Sequence, residues 1–133
     1  MSAFFASSTA SHGQIWDVDI YVRASREDGD KEQSETISNQ ITMLTDFVHG
    51  RPELRLHEIR KDDGISGVTF DRPNFNRMIA EIEAGNVATV IVKDMSRLGR
   101  DYLKVGYYTE IFFVERDVRY IAINDGVDSA RGD

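Results

Sequence analysis

The chain has 133 residues, no cysteine, 41% hydrophobic residues and a formal charge of −7. That length suits one domain able to bury roughly two-thirds of its surface, and the lack of cysteine excludes disulfides, thiol catalysis and cysteine metal sites while fitting a reducing, cytoplasmic setting. No run of about 18 apolar residues is present, so no membrane span is expected. The acidic balance argues against a chain that grips nucleic acid by itself, because phosphate contacts dominate such binding. Either it does not touch nucleic acid, or another domain or chain supplies most of the grip.

Residues 1–17 are expected to be a flexible extension. Ser7-Ser8-Thr9-Ala10-Ser11-His12-Gly13 is small and polar, and no basic patch precedes an apolar block, so no secretory signal is read. Asp19-Ile20-Tyr21-Val22-Arg23-Ala24-Ser25 reads as a buried strand. Side chains alternate along a strand, which puts Tyr21, Arg23 and Ser25 on one face and Val22 and Ala24 on the other. A helix is predicted from about Ser34, as N-cap, to His49, with Ile37, Ile41, Leu44 and Val48 as its stripe. Leu54–Arg60 suggests a second, less buried strand, and Asp62-Asp63-Gly64-Ile65-Ser66-Gly67 a loop. Pro73 fits the first turn of the next helix, capped by Asp71 or Arg72 and ended by Gly85. Its stripe is Phe75, Met78, Ile79 and Ile82. Val87–Val92 is an almost unbroken β-branched run, the pattern of a central strand covered on both faces. Arg97–Arg116 is predicted mostly helical, packed through Tyr102, Val105, Thr109, Phe112 and Phe113. Val118–Ile123 is the last predicted strand. The alternation implies an α/β fold, a three-layer sandwich with a mostly parallel central sheet flanked by helices.

Ligands gather outside the carboxyl ends of strands in such sheets. Three loops there carry serine and arginine: Arg23 with Ser25, Ser66 with Arg72, and Ser96-Arg97-Leu98-Gly99-Arg100. Arg97 and Arg100, three apart at a predicted helix start, would share a face and make an anion clamp with the helix N-terminus. Several guanidiniums beside a serine suit phosphoryl transfer, where charge spreads over the equatorial oxygens. No nucleotide-binding glycine loop and no nucleophile elbow occurs. None of the histidines, His12, His49 and His57, is placed as a base or metal set. Each residue also has an ordinary reading. A serine at a strand end is commonly a turn residue, helix arginines are commonly surface charges, and a strand arginine can pair with a core acid.

Tyr21-Val22-Arg23-Ala24-Ser25 resembles the Tyr-x-Arg-x-Ser motif of the serine recombinases, the resolvase/invertase group. Gln40 stands where that family has a glutamine. Asp63-Gly64-Ile65-Ser66-Gly67 with Arg72-Pro73 resembles its second block. Lys93-Asp94-Met95-Ser96-Arg97-Leu98-Gly99-Arg100-Asp101 resembles its third and most specific block. The wording of that block, and Tyr102-Leu103 after it, is most similar to the large recombinases and transposases of mobile elements.

The resemblance implies a site-specific DNA recombinase that works through a 5′-phosphoserine intermediate, without metal, ATP or cofactor, for excision or insertion of a mobile element. Ser25 would be the nucleophile. Arg23, Arg97 and Arg100 would hold the scissile phosphate. Tyr21, Gln40, Ser66 and Arg72 would support DNA and the active site, with Lys93, Asp94 and Ser96 as further supporting candidates. Small members of the family commonly have aspartate where Ser96 stands, so acid and base remain open among Asp94, Ser96 and an arginine. The resemblance makes residues 18–133 a catalytic domain cut before a long dimerisation helix and DNA-binding domains. DNA and further copies, as dimer or tetramer, would be the partners, and the fragment alone would be inactive. The rival reading from the residues alone is a non-catalytic α/β anion-binding or signalling module.

Overall fold

The computed structural model describes residues 14–24, 30–63, 72–99 and 101–131. The first strand, β1 (Trp16–Ala24), is longer than the predicted one. It pairs in parallel with β2 (Leu54–Asp63) on one side and with β3 (Thr89–Val92) on the other. Strand β3 pairs in parallel with β4 (Arg119–Ala122), and β4 pairs antiparallel with the short β5 (Val127–Asp128). The five-stranded order is therefore β2-β1-β3-β4-β5. Strand β5 follows a turn at Gly126, whose φ of 66° favours glycine, and no repeating pattern two residues long announces it in the sequence.

The alternation read for β1 is observed over Val18–Val22. Val18, Ile20 and Val22 pack against Ile37, Leu44 and Val48 of α1 (Asp30–His49). Tyr21 points to the opposite layer, into Phe75 and Met78 of α2 (Pro73–Glu83). The same layer takes Val105, Phe112 and Phe113 from a third helical arm. That arm runs as α3 (Tyr102–Tyr107), a π-helical turn over Tyr108–Phe112, and α4 (Phe113–Glu115). Helices thus cover both faces of a mostly parallel sheet, the predicted sandwich.

Several predicted details change. Helix α1 begins at Asp30, so Ser34 lies inside it and is not its cap. Strand β2 continues through Asp62 and Asp63, two residues into the expected loop. Tyr102 is 87% exposed and does not pack. It lies in the first turn of the arm, and the π turn brings Tyr108 against the core instead.

Strand β1 also carries charge inward. Asp19 is fully buried and accepts from the Arg60 Nε at 2.9 Å and pairs with the His57 Nδ1 at 2.8 Å, both on edge strand β2. Those side chains also make β2 a charged edge, which discourages pairing with another sheet.

Candidate active site

The site lies where β1 and β3 end side by side. The strand order reverses direction about β1, and a crevice opens outside neighbouring carboxyl ends at such a switch point. Strand β1 delivers Arg23 one residue before its last, Ala24, and Ser25 follows in sequence. Strand β3 ends at Val92 and leads into a short 3₁₀ turn, Met95–Arg97.

That turn is held in place at several points. Asp94 caps it, accepting from the Ser96 N–H at 3.1 Å and from the Ser96 hydroxyl. Asp125 accepts from the Met95 N–H at 2.7 Å, and the Lys93 carbonyl accepts from the Asn124 N–H at 2.8 Å. Leu98 plugs into the core. Gly99 then takes a φ of 149°, a conformation side-chain-bearing residues rarely adopt. The following helix starts only at Tyr102, and Asp101 occupies its first N–H groups, accepting from Leu103 at 3.1 Å and Lys104 at 3.3 Å. The expectation that Arg97 sits at the start of this helix is therefore corrected. Arg97 precedes it by a turn, and the helix N-terminus is already capped by an aspartate.

Two buried arginines grip this turn from other elements. The Arg23 guanidinium donates through Nη2 to the Ser96 carbonyl at 2.8 Å and through Nε to the Arg97 carbonyl at 3.3 Å. Arg72 donates through Nη1 to the Arg97 carbonyl at 3.0 Å and through Nη2 to the Leu98 carbonyl. Arg97 reaches back, its Nη1 donating to the Arg23 carbonyl at 2.8 Å, and lies 3.7 Å from the Asp94 carboxylate. Gln40 of α1 reads the same peptide strand. Its amide nitrogen donates to the Arg23 carbonyl at 3.0 Å, and its amide oxygen accepts from the Arg23 N–H at 3.4 Å. Arg23 and Arg72 are all but sealed from solvent, whereas the Arg97 side chain keeps 15% exposure. Of the three guanidiniums, that of Arg97 is the least buried.

Arg72 is further held by Tyr21. The phenol accepts from Arg72 Nη1 at 3.2 Å and donates to the Asp62 carboxylate at 2.9 Å. Arg72 also lies over the Phe75 ring, its central carbon 4.5 Å from the ring centre. Burial works against the Arg72 charge, and the neighbouring Tyr21 and Asp62 work for it. Burial likewise pushes the Tyr21 phenol well above its ordinary range, so it stays protonated and keeps its donor.

The structure thus brings together Tyr21, Arg23, Gln40, Arg72, Asp94, Ser96 and Arg97. Lys93 lies at the carboxyl end of β3, contributing its carbonyl to Asn124. Ser25, Ser66 and Arg100 lie outside the described residues. Asp62 belongs to the cluster and was missed, because Asp62-Asp63-Gly64 was read as a turn. The available signal was the need of a buried tyrosine and arginine for an acceptor. Among the described residues, no group of three or more histidine, aspartate and glutamate side chains could hold a metal ion.

Residues 18–132 match the family model described as "Resolvase, N terminal domain". The chain belongs to the resolvase family. Among solved structures, the N-terminal catalytic domain of TP901-1 integrase is similar, with 27% identity and a TM-score of 0.75. The match covers 86% of this chain and 82% of that one. A resolvase family site-specific recombinase from Streptococcus pneumoniae is similar at 26% identity and a TM-score of 0.71, over 87% of this chain and 77% of that one. The C-terminal catalytic domain of ISC1926 TnpA, an IS607-like serine recombinase, shares the fold at 23% identity and a TM-score of 0.69, over 80% of this chain and 70% of that one. Among curated protein sequences, none matches this one. This resolvase-family chain is a serine recombinase catalytic domain by family and fold. Of its motif blocks, Tyr21 and Arg23 lie at the end of β1, Arg72 at the start of α2, and Lys93–Gly99 directly after β3.

Proposed function

We propose that residues 18–133 form the catalytic domain of a site-specific DNA recombinase that cleaves and rejoins DNA through a 5′-phosphoserine link, serving excision or insertion of a mobile element. The observation that carries this reading is the mutual grip of Arg23 and Arg97 at the end of β1, directly before Ser25 in the chain. In the proposed reaction the Ser25 oxygen bonds to phosphorus and the bond from phosphorus to the 3′-oxygen breaks. The serine proton passes to a base, and the leaving 3′-oxygen takes a proton. Rejoining runs the same exchange backwards, with a 3′-hydroxyl as nucleophile. Arg97 and Arg100 neutralise the phosphate as charge spreads over its oxygens, and Arg23 holds the turn that presents Arg97. The mobile-element role draws on the similar integrase and transposase-type structures.

DNA and further copies of the chain are the proposed partners. An exposed apolar row on the helical arm, Leu103, Tyr107, Ile111 and Val114, supports self-association. The test is covalent trapping with the full-length protein and a DNA carrying its site. Wild type should form a protein–DNA adduct joined to the 5′ end, and Ser25→Ala should form none. An adduct from Ser25→Ala would defeat the assignment.

A further inference from the structure

Two short 3₁₀ turns sit side by side at the carboxyl ends of neighbouring strands. Met95–Arg97 follows β3 and carries Arg97, and Ile123–Asp125 follows β4. Strands β3 and β4 stay paired in parallel up to Val92 and Ala122, so the two turns leave the sheet together. Two hydrogen bonds join them. The Asn124 N–H donates to the Lys93 carbonyl at 2.8 Å, and the Met95 N–H donates to Asp125 Oδ2 at 2.7 Å. Met95 and Val127, on either side of this contact, pack against the same core. Asn124-Asp125-Gly126 has the composition of an ordinary turn, and nothing in the reaction described above uses it.

The Arg97 turn has free N–H groups at one end and free carbonyls at the other, as any helical segment does. Each end meets partners of the charge that suits it. At the N–H end, Asp125 takes Met95 and Asp94 takes Ser96. At the carbonyl end, Arg23 donates to Ser96 at 2.8 Å and to Arg97 at 3.3 Å. Asp94 caps its own turn and moves with it. Asp125 comes from another strand end, so its carboxylate fixes the N–H end of the turn relative to the sheet. Gly126, at a φ of 66°, donates to the Ile123 carbonyl at 3.1 Å and closes the turn that carries Asp125. The Arg97 side chain follows its backbone, since its Nε has no hydrogen-bond partner among the described residues.

We propose that Asp125 is a positioning residue for Arg97, holding the Arg97 turn from the β4 side. The proposal rests on the recombinase reading. A carboxylate on a backbone N–H makes a short, charge-assisted bond. Without it the Met95 N–H turns to water, the first residue of the turn is released, and Arg97, two residues on, loses its fixed place. Asp125 is itself exposed, so removing its carboxylate opens no cavity and strands no buried charge. Its effect on the turn is therefore separable from loss of the fold.

The experiment compares Asp125→Ala and Asp125→Asn with wild type in the full-length protein. It measures the single-turnover rate of adduct formation and, separately, DNA affinity. Alanine removes the acceptor, whereas asparagine keeps an acceptor oxygen in the same place. Asp125→Ala should slow adduct formation by about tenfold, the rate equivalent of a lost side-chain cap. Asp125→Asn should recover most of that loss, and both variants should bind DNA as wild type does. An unchanged rate in Asp125→Ala overturns the proposal. So does an asparagine variant as slow as the alanine one, or a fall in affinity that accounts for the fall in rate. A second readout separates this from failure of the recombinase reading. In residues 1–133, the Met95 and Arg97 amide resonances should move in Asp125→Ala and return toward wild type in Asp125→Asn. Resonances that stay in place in Asp125→Ala overturn the proposal, with or without an adduct. If wild type forms no adduct while those resonances move, the recombinase reading falls and the hold of Asp125 on the turn stands.

Discussion

Arg23 and Arg97 clasp each other through their backbones. Arg97 Nη1 donates to the Arg23 carbonyl at 2.8 Å, and Arg23 Nε donates to the Arg97 carbonyl at 3.3 Å. Each guanidinium thus fixes the peptide that carries the other. The strand β1 end and the turn after β3 cannot shift independently.

Gln40 is the third partner of that clasp, with its amide matched to both polar groups of the Arg23 peptide. Gln40→Leu keeps the side-chain volume but leaves the Arg23 N–H without the Gln40 acceptor, and it should cost about 1–3 kcal/mol. Urea unfolding of residues 1–133 measures this. A loss well under 0.5 kcal/mol would show that the amide contacts are incidental.

Tyr120 is 3% exposed, and its hydroxyl has no hydrogen-bond partner among the described residues. Deleting it removes a buried, unsatisfied group, so Tyr120→Phe should raise stability at neutral pH by about 1 kcal/mol. Equilibrium unfolding of the two proteins decides the sign.

Burial raises the phenol pKa of Tyr21 and Tyr120, and of Tyr108. A pKa raised on folding means that the native state holds its proton more tightly than the unfolded chain. The stability gained is complete below the unfolded value of about 10 and is lost as pH rises from there toward the folded values. Stability should hold steady to about pH 10 and then decline, and the Tyr120→Phe decline should be shallower. Unfolding midpoints between pH 8 and 11 test the window.

Arg119 and Asp128 form a buried two-bond pair, at 3.0 and 2.8 Å, that ties β4 to β5. Asp128→Ala removes the two-bond partner of a guanidinium that is 8% exposed, leaves it the Glu53 carboxylate at 3.7 Å, and should cost about 3 kcal/mol. The double variant Arg119→Met/Asp128→Leu removes both charges and should recover most of that. Thermal melting of the set distinguishes the two. A double variant as unstable as the single one would mean that packing, not charge, sets the cost.

With a charge of −7, residues 1–133 should bind DNA weakly and without site preference, since affinity tracks neutralised phosphates. A gel shift showing tight, site-specific binding by this chain alone would contradict that.

Much of this architecture was legible in the residues. The alternation Val18, Ile20, Val22 against Tyr21, Arg23 separated the two layers, and Pro73 and Gly85 bracketed α2 within a residue. The β-branched run before Lys93 marked the central strand. What was not legible depends on distant partners. Asp62 and Asp63 are equivalent in composition, and only the parity of β2 chooses which one faces Tyr21. Tyr102 was placed in the core because a regular helix was extended across Gly99 and Asp101, where the chain instead stops, turns and starts again. Strand β5 is two residues long and exists through Arg119 and Asp128, a pairing no local pattern encodes.

Strand β1 lies between partners that come much later in the chain, β2 after α1 and β3 after α2. During synthesis it precedes both of its partners and must wait for β3 to gain its second neighbour. Its Arg23 cannot leave water until Ser96 and Arg97 exist to receive it, because a buried guanidinium without acceptors is strongly unfavourable. Docking of β3 beside β1 and assembly of the arginine cluster are therefore one event in time. A nascent or partly unfolded chain therefore lacks the arginine arrangement, which arises only when sequence far apart in the chain has met.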